Sequence, residues 1–283
     1  MITRPAPPPH RSDEARGAGR SYAPVMPLDA ADLRSRLVGP YGQLDVVAST
    51  GSTNADLRDA TRDRTVLIAE EQTAGQGRRG RGWVSPGGGL YLSVLFRPAA
   101  VPAARLPWLT LLAGVALIRT AASVGVEADL KWPNDLLVGD RKAAGVLAEI
   151  TQDHAVVVGI GLNVAALPPD VEPGVGGLAP TSLEEHAGGP VDRAGVAVTL
   201  LTELDRLERL WRDAGGDPVA TGLLDEYRAH CGTVGRSVRV ELPGGHLAGT
   251  ARSVEADGTL VLRDDAGKDH VVSAGDVVHL RVR

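Results

Sequence analysis

The stretch "KWPNDLLVGDRKAAGVLAE" (residues 131–149) combines a strand pattern with side chains able to do chemistry. Its apolar runs are short and broken by turn residues, so "ADLKW", "DLLVG" and "KAAGVLAEI" read as short strands joined by tight turns. Pro133 fixes the backbone of a Trp-Pro-Asn-Asp turn, so Asn134 and Asp135 project in a defined direction between Lys131 and Lys142. Taken alone, the same pattern describes a hairpin with surface lysines. The segments around it decide.

Upstream, "QLDVVAS" (43–49), "TVLIAEE" (65–71) and "LYLSVLF" (90–96) read as strands, and "HAVVVGIGLNV" (154–164) as a fully buried one. Helical spacing covers 29–38, and a helix after residue 52 takes Ser52 or Thr53 as its cap. Further helices are read at 106–125, about 191–213 and 217–230. Past Cys231 the texture changes to about five alternating strands with Pro-Gly-Gly, Asp-Gly and Asp-Ala-Gly turns, the pattern of a small β-barrel. The chain thus divides into a tail expected to be disordered (1–28), a larger domain (29–232) and a C-terminal β domain (233–283).

With 283 residues, 43% hydrophobic and 23% charged, the composition is that of a soluble globular protein. A net charge of −5 argues against a general nucleic-acid coat, and one helix before the first strand is too few for a helix-turn-helix. One cysteine, Cys231, leaves no intrachain disulfide and fits a reducing cytoplasm, where it reads as packing. The apolar run 106–125 is broken by Arg119 and reads as a buried helix, so no membrane is expected. The N-terminus lacks the apolar core of a signal peptide.

Three more segments offer chemistry. "GSTN" (51–54) puts two hydroxyls and an amide where a strand gives way to a helix. "EQTAGQGRRGRGW" (71–83) concentrates Arg78, Arg79 and Arg81 on glycine-rich backbone, an expensive segment to order unless an anion neutralises it. "GIGLN" (159–163) sets Gly159 and Gly161 inside a buried strand, which marks close approach by a ligand or another backbone. No Walker A sequence, full dinucleotide fingerprint or G-x-S-x-G elbow occurs, and the seven histidines lack metal-ligand spacing.

In this order and spacing, "STN", "EQTAGQGRRGRGW", "YLSVLF", "KWPNDLLVGDRKAAGVLAE" and "GIGLNV" resemble the biotin protein ligase family over about residues 43–283. The resemblance implies an α/β (α+β) fold with a mixed central sheet, akin to class II synthetases, plus a C-terminal SH3-like β-barrel. It implies an ATP-dependent ligase that joins biotin and MgATP into biotinyl-5′-AMP, then passes biotin to a lysine of a biotin carboxyl carrier domain. Biotin is expected at Ser52, Thr53, Gln72, Gly75, Gln76, Arg78, Lys142, Gly145, Gly159 and Gly161. ATP is expected at Arg78, Arg79, Arg81, Trp83, Lys131, Asn134 and Asn163, with Mg²⁺ on Asp135 and Arg78, Lys131 and Lys142 as catalytic groups. Trp83 is read as stacking on adenine. The family's usual GRGRRGR is GQGRRGR here, Gln76 standing in the first arginine position. A monomer or weak homodimer without DNA is expected. Lipoate ligases share the fold and the adenylation chemistry, and a biotin-responsive repressor is disfavoured.

Overall fold

The computed structural model describes residues 26–37, 41–173, 177–242, 245–273 and 275–279. Seven strands form one mixed sheet: β1 (Gln43–Thr50), β2 (Thr65–Gln72), β3 (Leu90–Phe96), β4 (Asp129–Lys131), β5 (Asp135–Val138), β6 (Arg141–Ile150) and β7 (Val156–Leu162). Their spatial order is β1-β2-β3-β7-β6-β5-β4. Only β1 and β2 run parallel, and every other neighbour is antiparallel. The expected mixed sheet is present.

Alternation sorts the two faces, because residues two apart in a strand share one. Val66, Leu92, Val94, Val158, Ile160 and Val146 join the main core with α3 (Trp108–Ser123). That helix is buried on nearly every side, as its continuous apolar sequence demands. The segment Ala103–Ser123 does meet the length and composition of a membrane span, which the sequence reading missed by counting Arg119 as a break. Its side chains are spent on the protein's own core, and Arg119 answers Glu203 and Glu226 at 2.8 and 2.6 Å. Helices α4 (Arg193–Asp213) and α5 (Leu223–His230) pack on α3. The second of these begins later than expected, because residues 217–222 turn first.

The other sheet face carries α2 (Thr53–Leu57), whose Leu57 packs with Leu67, Leu95 and Val157. This helix is only one turn past its cap, shorter than its sequence suggested. Ahead of β1 lies α1 (Ala30–Arg36), capped by Asp29. Residues 1–25 of the expected disordered tail lie outside the described residues. Residues 26–28 are pinned: Leu28 N donates to Glu70 Oε1 at 2.7 Å, and Arg193 donates to the Met26 carbonyl at 2.7 Å.

Five C-terminal strands, β8 (Ser237–Leu242), β9 (Gly245–Val254), β10 (Leu260–Arg263), β11 (Asp269–Val272) and β12 (Asp276–His279), form an antiparallel sheet in the order β11-β10-β9-β8-β12. Two indoles, one from α3 and one from the turn between β4 and β5, fasten it to the larger domain. Trp108 Nε1 donates to the Ala256 carbonyl at 2.6 Å and Trp132 Nε1 to that of Gly258 at 3.0 Å, both in the β9–β10 turn. Cys231 is a free, buried thiol, as expected, and its backbone bridges Leu130 beside Lys131.

Candidate active site

Strand register brings the motifs together. One rung runs across the sheet from Ala69 through Tyr91, Gly161, Gly145 and Asp135 to Lys131. The next rung is Leu67, Ser93, Gly159 and Leu147. Both glycine rungs lie on the α2 face, and removing their side chains hollows the sheet there. A cavity of about 500 Å³ sits above them. Every predicted site residue lines it except Gly75, which stands behind the wall. A Cβ on Gly75 would lie 2.7 Å from the Trp83 carbonyl, so its glycine serves the close return of the loop.

At one end, hydroxyls and amides gather. Ser52 caps α2, accepting from Ala55 N at 3.5 Å. Gln72 Oε1 accepts from the backbone N of Thr53 at 3.0 Å and lies 3.1 Å from its hydroxyl oxygen. Asn54, which the sequence reading left out of the site, is 5% exposed and bridges α2 to β3 and β6. A Cβ on Gly159 would overlap the Asn54 amide, and one on Gly161 the Trp83 indole. The close approach announced by these glycines is therefore made by side chains of this chain. Trp83 lies over Gly161 and Gly145, with Lys142 Nζ 5.4 Å from the centre of its ring. The indole packs in the space that the absent side chains of Gly161 and Gly145 leave.

At the other end, charge gathers around one carboxylate. Asp135 Oδ1 is 2.6 Å from Lys142 Nζ, and Oδ2 is 3.4 Å from Lys131 Nζ. Burial alone would raise the Asp135 pKa, but attraction to Lys142 and Lys131 outweighs it and holds the carboxyl below its ordinary value. Burial pushes the Lys131 ammonium down, against the pull of Asp135. The Arg78 guanidinium is lowered by burial too, with Asp135 again opposing. Arg78 reaches the Asn134 Oδ1 at 3.4 Å and the Gly275 carbonyl of the C-terminal sheet at 3.0 Å. The arginine loop itself is a hairpin-like excursion: Trp83 N donates to Gly75 O, Gly77 N to Arg81 O, and the Gln76 backbone bridges Gly82. Arg79 takes a left-handed conformation at its tip (φ 59°).

Asn134 Nδ2 donates to the Val146 carbonyl at 3.0 Å and Asn163 Nδ2 to that of Thr181 at 2.9 Å. Each amide is thereby oriented, and the Asn134 oxygen is turned to Arg78. The C-terminal sheet also reaches the cavity through Arg239, Glu241, Val277 and Val278. Nothing in their local sequence marks them, because their place depends on how the second sheet docks.

The donor set around Asp135 does not make a metal cage. Its carboxylate already faces two ammonium groups, and among the described residues no cluster of three or more His, Cys, Asp or Glu could hold an ion. As a metal ligand Asp135 would have to give up a lysine, so its place here is that of their shared counter-charge.

Comparison with known proteins gives the same assignment. Residues 44–163 match the biotin/lipoate A/B protein ligase family, and residues 233–280 match the biotin protein ligase C-terminal domain. A biotin–[acetyl-CoA-carboxylase] ligase of Mycobacterium tuberculosis is 45% identical over 90% of this chain and 97% of its own length. A bifunctional ligase/repressor of Bacillus subtilis is 34% identical over 81% of this chain and 71% of its own. The biotin protein ligase of Aquifex aeolicus, solved in complex with biotin and ATP, superposes with a TM-score of 0.70 at 26% identity, covering 86% of this chain and all of that one. The chain belongs to the biotin protein ligase family.

Proposed function

We propose that this chain is an ATP-dependent biotin protein ligase. A biotin carboxylate oxygen attacks the α-phosphorus of ATP, pyrophosphate leaves, and the ε-amine of a carrier-domain lysine then displaces AMP from the acyl carbon. The observation that carries this reading is the pairing of a donor-lined slot with a cationic end in one cavity. Six cationic side chains (Arg78, Arg79, Arg81, Lys131, Lys142, Arg239) line it against three acidic ones (Asp135, Glu172, Glu241). Bringing a carboxylate to a polyphosphate opposes like charges, and preorganised cations lower that barrier. Ser52, Thr53 and Gln72 suit the ureido group, with Gln76 and Gly145 on the same wall. Lys142 stands where a carboxylate would meet phosphate, and Arg78, Lys131, Asn134 and Asn163 suit the nucleotide. Mg²⁺ would arrive on the ATP phosphate oxygens, which supply most ligands that ion prefers.

The Mycobacterium relative's name supports a carrier domain of acetyl-CoA carboxylase as acceptor. The residues up to 232 and from 233 onward are read as catalytic and closing domains, with the Arg78 contact to Gly275 spanning them. A cytoplasmic protein acting without DNA, as a monomer or weak homodimer, fits the net charge of −5 and the single cysteine. Mixing the chain with MgATP and a recombinant biotin carboxyl carrier domain, in parallel with biotin and with lipoate, tests the function. Mass spectrometry should find a biotinyl group on one carrier lysine and none from lipoate. Lipoylation instead would establish the rival acid.

A further inference from the structure

Behind the slot, four side chains form a chain of short contacts in which each group's role is forced by its neighbour. Asn54 Nδ2 lies 2.7 Å from Glu149 Oε2 and 3.2 Å from the Leu147 carbonyl, two oxygens that only accept. The amide must therefore turn its nitrogen to them, leaving Asn54 Oδ1 facing Ser93 Oγ at 2.6 Å. That oxygen cannot donate, so the single Ser93 proton goes to it. Ser93 Oγ is also 2.7 Å from Thr53 Oγ1, and with its own proton committed it accepts there. The Thr53 proton goes to Ser93 in preference to Gln72 Oε1, which is farther at 3.1 Å and already takes the Thr53 backbone N–H.

We propose that Glu149, Asn54 and Ser93 are positioning residues that fix the proton direction of the site, making Thr53 Oγ1 an obligate acceptor for a ligand N–H. The inference rests on the ligase reading above and deepens it. The same contacts turn Gln72 Nε2 outward as a donor, because Oε1 is occupied by Thr53. An acceptor beside a donor is the complement of an N–H beside a C=O, the two faces a cyclic urea presents. Its inner members Thr53, Asn54 and Ser93 are buried, Ser93 being 0% exposed, so water cannot rescue a wrong polarity there. Arg58 anchors its outer end at 2.7 Å from Glu149 Oε1. Gly159 completes the device, since any side chain there would displace the Asn54 amide.

The test compares biotin with its two cyclic carbamate isosteres, in which a ring oxygen replaces one or the other ureido N–H. Calorimetric titration uses the full chain, with a thermal melt on every variant. Wild type should bind biotin and reject one isostere by roughly a hundredfold or more, because its oxygen meets a lone pair where a donor is required. Ser93→Ala leaves the Thr53 proton only Gln72 Oε1, 3.1 Å away and already accepting the Thr53 N–H, so its direction is no longer firmly held: biotin should weaken roughly tenfold while the rejected isostere gains, and the ratio should fall by at least about tenfold. Glu149→Gln retains an acceptor for Asn54 and should keep the ratio. Glu149→Ala, at a partly exposed position, should shrink it, which keeps the question answerable if Ser93→Ala does not fold. A ratio unchanged in Ser93→Ala or Glu149→Ala, with all three ligands weakened alike, overturns the proposal and makes the cluster a packing feature. Failure of wild type to bind biotin overturns the ligase reading with it, and that result is read from wild type alone.

Discussion

Lys142 Nζ and Asp135 Oδ1 stand 2.6 Å apart, on adjacent antiparallel strands whose register puts Asp135 opposite Gly145 rather than opposite the lysine itself. The lysine reaches across an irregularity in that ladder, between Leu136 and Leu137, to meet a carboxylate that also holds Lys131 at 3.4 Å. One buried carboxylate thus bridges two ammonium side chains.

The two lysines should separate kinetically. Lys131 lies deeper than Lys142 and is the lysine proposed to meet the phosphates, so Lys131→Ala should lower kcat for adenylation about a hundredfold with a modest change in biotin affinity. Lys142 is placed to hold the biotin carboxylate as well, so Lys142→Ala should raise biotin Kd roughly tenfold and slow the step too. Supplying synthetic biotinyl-AMP should restore most of the transfer rate of Lys131→Ala. Persistent inactivity of Lys131→Ala with preformed adenylate, alongside normal biotin binding by Lys142→Ala, would reverse these roles.

Gly159 and Gly161 are two residues apart on one strand but should fail differently. Alanine at Gly159 collides with Asn54, held by Glu149, Leu147 and Ser93, so the protein should lose about 1–3 kcal/mol of stability. Alanine at Gly161 meets the Trp83 indole first, a side chain that sits on a loop and can swing away. Urea denaturation should find Gly161→Ala close to wild type while its biotin affinity falls. Equal destabilisation by both would show that Trp83 is as fixed as Asn54.

The arginine loop should respond to ligand. Arg79 and Gly80 are exposed at its tip, and backbone bonds from Trp83 to Gly75 and from Gly77 to Arg81 close its base. Trypsin cleavage after Arg78, Arg79 or Arg81 should be suppressed by biotin plus MgATP, and Arg78→Ala should release biotinyl-AMP into solution faster. Cleavage at an unchanged rate would mean that the loop does not close over the adenylate.

His279 links the C-terminal sheet to the turn before Asn134: its ring lies 3.0 Å from Thr233 Oγ1, which accepts from Trp132 N. Burial, with repulsion from Lys131 and Arg236 after it, lowers its pKa to about 4. A histidine held neutral in the folded state favours folding fully above its ordinary value near 6.5. Below that, the unfolded chain binds more protons and stability falls until about pH 4. The melting temperature of His279→Gln should therefore depend less on pH between these values than that of wild type.

The local chemistry was legible in the sequence because glycine, proline and arginine act through their own backbone and charge. The KWPND turn, the GIGLN glycines and most of the arginine loop line one cavity. What the sequence hid was register. Nothing local to Gly145, Asp135 or Gly161 says that they share one rung, since that depends on pairing across the whole sheet. The role of Asn54 was hidden for the same reason: "GSTN" shows an amide beside two hydroxyls, but only β3 and β6 supply its partners. Arg239 and Val277 needed the docking of a second sheet to reach the site.

The central claim, that this cavity joins biotin to ATP before any acceptor is present, is tested most directly by isotope exchange. Radiolabelled pyrophosphate, MgATP and the purified chain are incubated with and without biotin, and label entering ATP is counted. Label should enter ATP only when biotin is added, and Lys131→Ala should abolish most of it. Exchange that proceeds equally without biotin, or none with it while lipoate supports exchange, would contradict the account.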